Sequence, residues 1–139
     1  RIQSDDVIIE DSYIHDLRRH PGGHHDTIQI RNGDNVTIRG NTLLAYKEST
    51  DDPMNAAIQL GSLLGDDWVT DLVVVGNYMD GGSYTVNGGL DIAESEFYGD
   101  NRFGRNFRFG AVGNLSPDAV WEETNVYHDT GEPVRSRDG

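Results

Sequence analysis

A short motif recurs along this chain and restricts the folds open to it. The motif is an apolar-x-apolar strand pattern, two further residues, an asparagine, one residue and another apolar residue. Clear copies are VTIRGNTL, which begins at Val36, and LVVVGNYM, which begins at Leu72. Looser copies place Asn101 and Asn125 in the same phase, and the first copy has Ser12 there. The copies lie 24 to 36 residues apart, which is the spacing of stacked structural repeats.

The repeated elements are strands. They are short and rich in Val and Ile, they alternate with a period of two, and Gly, Asn and Asp bound them. Parallel stacking would place Val36 between Val7 and Leu72, and the asparagines would align so that each amide hydrogen-bonds the next. We therefore expect an all-β solenoid of about five coils with short Asn- and Gly-rich turns, formed by residues 1–139 as a single domain.

Each coil is expected to contain a second strand. The candidates are Ile28–Ile30 and Ile58–Leu60, which are the clearest, and Tyr84–Val86 and Phe107–Phe109, which are weaker. In the clear pair, Gln29 and Gln59 alternate with apolar residues and are expected to stack on the outer face. Residues 31–35 read as a polar turn, while residues 47–55 and 62–67 read as loops leaving the coil, where function often lies.

The charge of the chain bears on its partners. The formal net charge is −13, with 11 lysines and arginines, so a nucleic acid is not expected because phosphate binding needs a basic face. Neutral glycans meet no such repulsion, whereas a polyanionic polysaccharide would need bridging cations. No apolar run approaches the roughly 18 residues of a membrane helix, so membrane insertion is not expected. The start at Arg1 is typical of a fragment or C-terminal part of a longer chain.

The strand motif NVTIRGNT and the asparagines that recur at one position of each repeat resemble the right-handed parallel β-helix superfamily of pectate lyases and polygalacturonases, in a secreted or phage-associated branch. HDTIQI, from His25, is similar to the polygalacturonase signature Asn-Thr-Asp-Gly-Ile-Asp, and Asp51-Asp52 is similar to the paired aspartates of that family's next coil. The resemblance implies that Asp26, Asp51 and Asp52 activate water and protonate a leaving oxygen, and His25 is a further catalytic candidate beside them. It also implies a secreted, virion or cell-surface location. The family's Gly-His-Gly loop and Arg-x-Lys clamp have no counterpart in this chain.

The segment His24-His25-Asp26 has three interpretations. It could belong to a carbohydrate site, because Asp26 and Asp51 or Asp52 could lie on adjacent coils at the separation that glycoside hydrolysis needs. It could bind a metal, although adjacent histidines on a strand point to opposite faces. It could also be a structural turn after Pro21-Gly22-Gly23. The acidic pairs of the chain could bind Ca²⁺, or they could be solvated turn residues.

Several other side chains are candidates for substrate binding. They are His24, Gln29, Gln59, Tyr84 and Arg108. Tyr84 could stack on a sugar face, and Arg108, in a basic cluster with Arg102 and Arg105, could bind a carboxylate.

Two functions from different classes follow from these observations. The first is a carbohydrate-active or carbohydrate-binding protein, possible activities being those of a glycoside hydrolase or polysaccharide lyase, with an epimerase on the same scaffold as a further option. The second is a non-catalytic structural or adhesive module of a phage tail or cell surface. Uncovered coil ends would expose unpaired strand edges, which predicts a homo-oligomer or a larger assembly.

Overall fold

A computed structural model describes residues 1–62 and 64–136 of the chain, and strands dominate it. The strands are β1 (Ile2–Gln3), β2 (Val7–Glu10), β3 (Tyr13–Ile14), β4 (Asp26–Arg39), β5 (Thr42–Leu44), β6 (Ala56–Leu60), β7 (Trp68–Val75), β8 (Tyr78–Asp80), β9 (Tyr84–Asn87), β10 (Ala93–Gly99), β11 (Arg102–Phe103), β12 (Gly110–Gly113), β13 (Val120–Trp121) and β14 (Val126–Tyr127). A single turn of 3-10 helix, Glu48–Thr50, interrupts them. Across the described ranges, the model contains no helix with the length and apolar character that crossing a membrane requires.

The strands form two sheets. The first has nine strands in the order β12-β9-β6-β4-β7-β10-β13, with β1 and β2 also paired to β4, and the second has five strands in the order β14-β11-β8-β5-β3. Every pairing between these strands is parallel. Together the sheets curl into a half-barrel around the apolar core.

The strand register agrees with the register expected from the sequence. Val36 pairs with Val7 on one side and with Leu72 on the other, and Ile38 likewise lies between neighbouring strands of the same phase. Val36, Ile38 and Leu72 are fully buried. The β-branched residues therefore supply both the extended backbone and the inward apolar face.

The predicted asparagine column is confirmed. Asn41 Nδ2 donates to Asn77 Oδ1 at 3.0 Å, Asn77 Nδ2 to Asn101 Oδ1 at 3.0 Å, and Asn101 Nδ2 to Asn125 Oδ1 at 2.9 Å. The backbone N–H of Ser12 donates to Asn41 Oδ1 at 2.9 Å, so the serine ends the column. All four asparagines are at most 2% exposed, which makes the column part of the interior.

The predicted right-handed parallel β-helix, a solenoid of about five coils, is wrong. The strands belong to two parallel sheets of a half-barrel. The clearest departure is β4, which runs unbroken for 14 residues through the segment 31–35 that reads as a turn. β4 pairs with β1 and β2 along one edge and with β6 and β7 along the other. It therefore joins into one strand the segments Ile28–Ile30 and Val36–Ile38, which the sequence pattern separates by a turn.

The second-strand predictions are confirmed for three segments and wrong for one. Ile28–Ile30 lies within β4, Ile58–Leu60 within β6 and Tyr84–Val86 within β9. Phe107–Phe109 is not a strand, and the strand in its place is β12, which begins at Gly110 opposite Tyr84. A Cβ at Gly113 would lie 2.7 Å from the Tyr84 ring, so glycine is needed inside this strand.

The two borders of the sheets differ. Near β13 and β14, Val134 is 2% exposed, its N–H donates to Asn125 O at 2.7 Å, and its carbonyl accepts from Trp121 Nε1 at 2.6 Å. The segment around Val134 therefore closes that end of the core. At the other border, within the described ranges, β1 and β2 pair only with β4, and β3 pairs only with β5.

Candidate functional site: a groove with a row of amides

A groove of about 790 Å³ lies along β4, β6 and β9. His24, Asp26, Gln29 and Gln59 line it, so the structure brings four of the predicted site residues together. Apolar side chains, including those of Leu60, Leu64, Leu90 and Ile92, share the groove with these polar groups. A polar row beside apolar surface is typical of a binding site for a ligand that is polar at its edges and less polar on its faces.

Four side-chain amides follow the groove, three on successive strands and one just beyond β12. These residues, Gln29, Gln59, Asn87 and Asn114, are the amide row. Gln59 pairs in register with Gln29 on β4 and with Asn87 on β9. Asn114 Nδ2 donates to Asn87 Oδ1 at 2.8 Å, and Asn87 Nδ2 donates to Gln59 Oε1 at 2.9 Å. These bonds, together with the one that Gln29 Nε2 donates to Gly61 O at 3.1 Å, hold the four amides in fixed orientations before any ligand arrives.

Sequence reasoning missed Asn87 and Asn114. A signal for Asn87 was present, because it follows Val86 as Gln59 follows Ile58, and both apolar residues are fully buried. Asn114 lies just beyond β12, whose position the sequence analysis misplaced. The register of β12 was therefore the missing information.

Asp26 lies at the entry of β4, at one end of the amide row. Its Oδ1 accepts a hydrogen bond of 2.7 Å from Asn55 Nδ2, and Asn55 Nδ2 also donates to Gln59 Oε1 at 3.1 Å. Burial raises the pKa of Asp26 to about 6, although the hydrogen bond from Asn55 and the charge of His24 act in the opposite direction. Asp26 therefore changes its protonation state in the mildly acidic range.

A second carboxylate, Asp67, also borders the groove. It is 7% exposed, and its Oδ2 accepts from the Ser62 backbone N–H at 2.6 Å and from Ser62 Oγ at 2.8 Å. Arg31 Nε donates to its Oδ1 at 2.8 Å. Burial opposes ionisation, but the hydrogen bonds from Ser62 and Arg31 outweigh it and lower the pKa of Asp67. Asp67 is therefore an ionised residue that anchors the turn after β6.

The other predicted acidic residues do not line the groove. Asp52 accepts from Arg19 Nε at 2.7 Å and from Arg19 Nη2 at 2.8 Å, and it borders a separate cavity. Asp51 Oδ1 accepts from the Tyr46 hydroxyl at 2.7 Å. His25 Nε2 accepts from the His20 backbone N–H at 3.0 Å, which is a structural role in the loop before β4. Asp26 is therefore surrounded by amides and not by the aspartates predicted to act with it.

Tyr84 and Arg108 also lie apart from the amide row. The Tyr84 ring covers Gly113 and is tilted against Phe109, with 5.8 Å between the ring centroids. The charge of Arg108 helps to lower the pKa of Asp52, which assigns Arg108 to the side of the molecule that holds the second cavity. The predicted basic cluster is also divided, because Arg105 forms an ion pair of 2.8 Å with Asp129.

The positions of the histidine and carboxylate side chains bear on metal binding. In residues 1–62 and 64–136, no three His, Asp or Glu side chains are grouped closely enough to hold an ion. The alternative in which the acidic pairs bind Ca²⁺ therefore has no three-ligand cluster to support it in this part of the chain. The acidic residues instead occupy strained backbone positions, since Asp6, Asp11, Asp51 and Asp66 all have positive φ angles between 51° and 57°.

The chain matches no family model, no curated protein and no solved structure. The resemblance to the pectate-lyase and polygalacturonase superfamily is wrong, because the strands form two parallel sheets of a half-barrel and not a right-handed β-helix solenoid. The physical reason is that the residues supporting it are strand and turn residues, which any stack of parallel strands can share. The groove must consequently be interpreted from its own chemistry.

Proposed function

We propose that this protein binds a neutral glycan along the groove and does not cleave it. The observation that carries the proposal is the amide row, in which three amides on neighbouring strands and one just beyond β12 are held by hydrogen bonds beside apolar side chains. Each amide combines donors and an acceptor, which suits hydroxyl groups that both donate and accept. A neutral ligand also avoids repulsion from a chain with a net charge of −13.

The spacing of the amides supports an extended ligand. Neighbouring strands lie about 4.8 Å apart, so amides in register recur at intervals comparable to the length of one sugar residue. Gln59 Nε2 donates to Leu60 O at 2.8 Å, which leaves the second hydrogen of that nitrogen for a ligand. The apolar side chains of Leu64 and Leu90, which are 73% and 49% exposed, can contact the less polar faces of the rings.

The arrangement of the carboxylates favours binding over hydrolysis. Glycosidases hold their two carboxyl groups roughly 5 to 10 Å apart. Arg31, the partner of Asp67, follows Asp26 by five residues on β4, a distance of about 17 Å along an extended strand. Because Asp67 is also committed to Arg31 and Ser62, it is poorly suited to activate water for a bond near Asp26. An adhesive or scaffolding role at a cell or virion surface is the biological setting that fits such binding.

Titration calorimetry against a panel of neutral oligosaccharides tests the proposal. We expect saturable binding that Gln59→Ala and Asn87→Ala each weaken about tenfold, because each removes a fixed hydrogen-bonding group. Gln3→Ala, which removes an exposed glutamine on β1, is the matched control and should leave the affinity unchanged. The proposal is wrong if no neutral oligosaccharide binds or if the control loses as much affinity as the groove variants.

A reducing-end assay on the same panel separates binding from catalysis. We expect no release of reducing ends by the protein. Release that disappears in Asp26→Asn would instead identify a hydrolase in which Asp26 is catalytic.

A further inference from the structure

A second cavity, of about 540 Å³, gathers basic side chains on this acidic protein. The basic pocket is lined by Arg18, Arg19, His20, Lys47, Thr50 and Asp52, together with Met54. Lys47 is the one lysine of the sequence, and the formal net charge of the chain is −13. Three of the 11 lysines and arginines therefore line a single cavity, in a protein whose acidic residues outnumber its basic ones.

Asp52 neutralises only one of these cations. Its two oxygens accept from Arg19 Nε at 2.7 Å and from Arg19 Nη2 at 2.8 Å, and Arg19 Nη1 donates to Gly23 O at 2.8 Å. Arg19 is therefore held in place by all three of its nitrogens. Arg18 and Lys47 have no carboxylate within 4.0 Å among the residues that the structure describes.

The backbone fixes Lys47 beside this ion pair. Lys47 N–H donates to Asp52 O at 2.7 Å, and Asp52 N–H donates to Lys47 O at 3.1 Å, closing the loop that contains the 3-10 turn. The positions of Lys47 and Arg19 are thus coupled through Asp52. The hydrogen bond from Arg19 lowers the pKa of Asp52 to about 2, and the charges of Arg19 and Arg108 act in the same direction.

We propose that the basic pocket binds an oxyanion, that is, a carboxylate, sulfate or phosphate group. Arg18 and Lys47 would supply the charge, and the Thr50 hydroxyl would supply a neutral donor. The pocket is separate from the amide row, so this proposal does not depend on glycan binding in the groove. The same chemistry could recognise a free inorganic ion or an anionic group carried by a sugar.

The test uses the ¹⁵N-labelled chain titrated in parallel with sodium sulfate and with sodium glucuronate, at an ionic strength kept constant with sodium chloride. We expect saturable shifts of the Lys47 and Thr50 amides. Lys47→Gln and Arg18→Gln should each weaken binding about tenfold, because each removes a charge-assisted contact. Tighter binding of glucuronate would identify an anionic sugar as the source, and equal or tighter binding of sulfate would identify a free oxyanion.

Arg39→Gln is the control, since Arg39 is exposed and already pairs with Glu10 at 2.7 Å. It should leave both titrations unchanged. Arg18 is exposed and lies outside the strands, so Arg18→Gln keeps the test valid if Lys47→Gln fails to fold. Shifts that rise linearly with concentration, or that persist in both pocket variants, would overturn the proposal, as would an equal loss in Arg39→Gln.

Discussion

Asn77 Nδ2 donates to Asn101 Oδ1 at 3.0 Å, although 24 residues separate the two in sequence. The same nitrogen donates to Ile38 O at 3.0 Å, so one buried amide links three successive strands. Asn77 Oδ1 in turn accepts from both the backbone N–H and the side-chain amide of Asn41. This connectivity makes each asparagine of the column a structural residue, distinct from the amides that border the groove.

Asn77→Ala should destabilise the fold strongly. The change removes two donated hydrogen bonds and leaves two donors of Asn41 without their buried acceptor. We expect the free energy of unfolding to fall by about 3 to 5 kcal/mol. Urea denaturation followed by circular dichroism measures this loss. Asn87→Ala, on the half-buried outer face, is the comparison and should cost about 1 kcal/mol, so equal losses would contradict a special role for the column.

Asp26 should make stability depend on pH in the mildly acidic range. Its pKa rises from 3.8 to about 6 on folding, so the folded state binds the proton more tightly than the unfolded state. The contribution of Asp26 to the free energy of unfolding therefore falls as the pH rises from about 4 to about 6. Asp26→Asn should abolish this slope and, above pH 6, gain about 1 kcal/mol, a value discounted for partial solvent screening.

Asp129→Asn serves as the control for that measurement, because Arg105 lowers the pKa of Asp129. The contribution of Asp129 to stability is present above its unfolded pKa and is lost as the pH falls through its lower folded value. Melting temperatures measured from pH 3 to pH 8 should thus respond in opposite directions to the two substitutions. Identical profiles for wild type and Asp26→Asn would refute the assigned burial cost.

Burial of the Glu96 carboxylate, like that of Asp26, destabilises the folded state when the group is ionised. Its Oε1 accepts from the Tyr98 hydroxyl at 2.7 Å, whereas no partner within the described ranges reaches its Oε2. Burial raises the pKa of Glu96, so its charged form becomes destabilising as the pH increases above the unfolded value. We expect Glu96→Gln to raise the free energy of unfolding at pH 8 by about 1 to 2 kcal/mol. Glu94→Gln, exposed on the same strand, should have no comparable effect in the same denaturation experiment.

Val134→Ala tests the segment that closes one end of the core. Val134 is 2% exposed and receives the indole N–H of Trp121 on its carbonyl. Truncation leaves a cavity beside that indole, and we expect a loss of about 2 kcal/mol. Val120→Ala is the control, because Val120 is 48% exposed. A change in tryptophan fluorescence before global unfolding, measured in a Trp68→Phe background, would locate the loosening at Trp121.

The asparagine column and the strand register could be predicted because both follow from one local rule. A buried amide must find hydrogen-bond partners, and asparagines in the same phase of stacked strands provide them. The phase of Asn41, Asn77, Asn101 and Asn125 was visible in the sequence and agrees with the hydrogen bonds. Gln29 and Gln59 were predicted to stack on the outer face, because alternation with apolar residues assigns them to one face, and they pair in register.

The sheet architecture was not predictable in the same way. Residues 31–35 contain Gly33 and Asn35 and read as a turn, yet β4 continues through them. A Cβ at Gly33 would lie 2.6 Å from Ser4 O, so this glycine allows another backbone to approach the strand. Asn35 has a φ of 59°, a local irregularity that the strand absorbs. Such close approaches depend on segments distant in sequence, which a local pattern does not reveal.

The asparagine column has a direction. From Asn41 to Asn125, each asparagine Nδ2 donates to the Oδ1 of the next asparagine, so the amide dipoles point in one direction and add along the column. The column therefore has two different ends, a head at Ser12 and a tail at Asn125. At the tail, Asn125 Nδ2 turns back to Tyr98 O and Glu122 O, and at the head Ser12 Oγ turns back to Glu10 O. An additional strand at either end of the column would meet a side chain that already donates to a carbonyl of this chain. The row of aligned amides therefore ends at Ser12 and at Asn125.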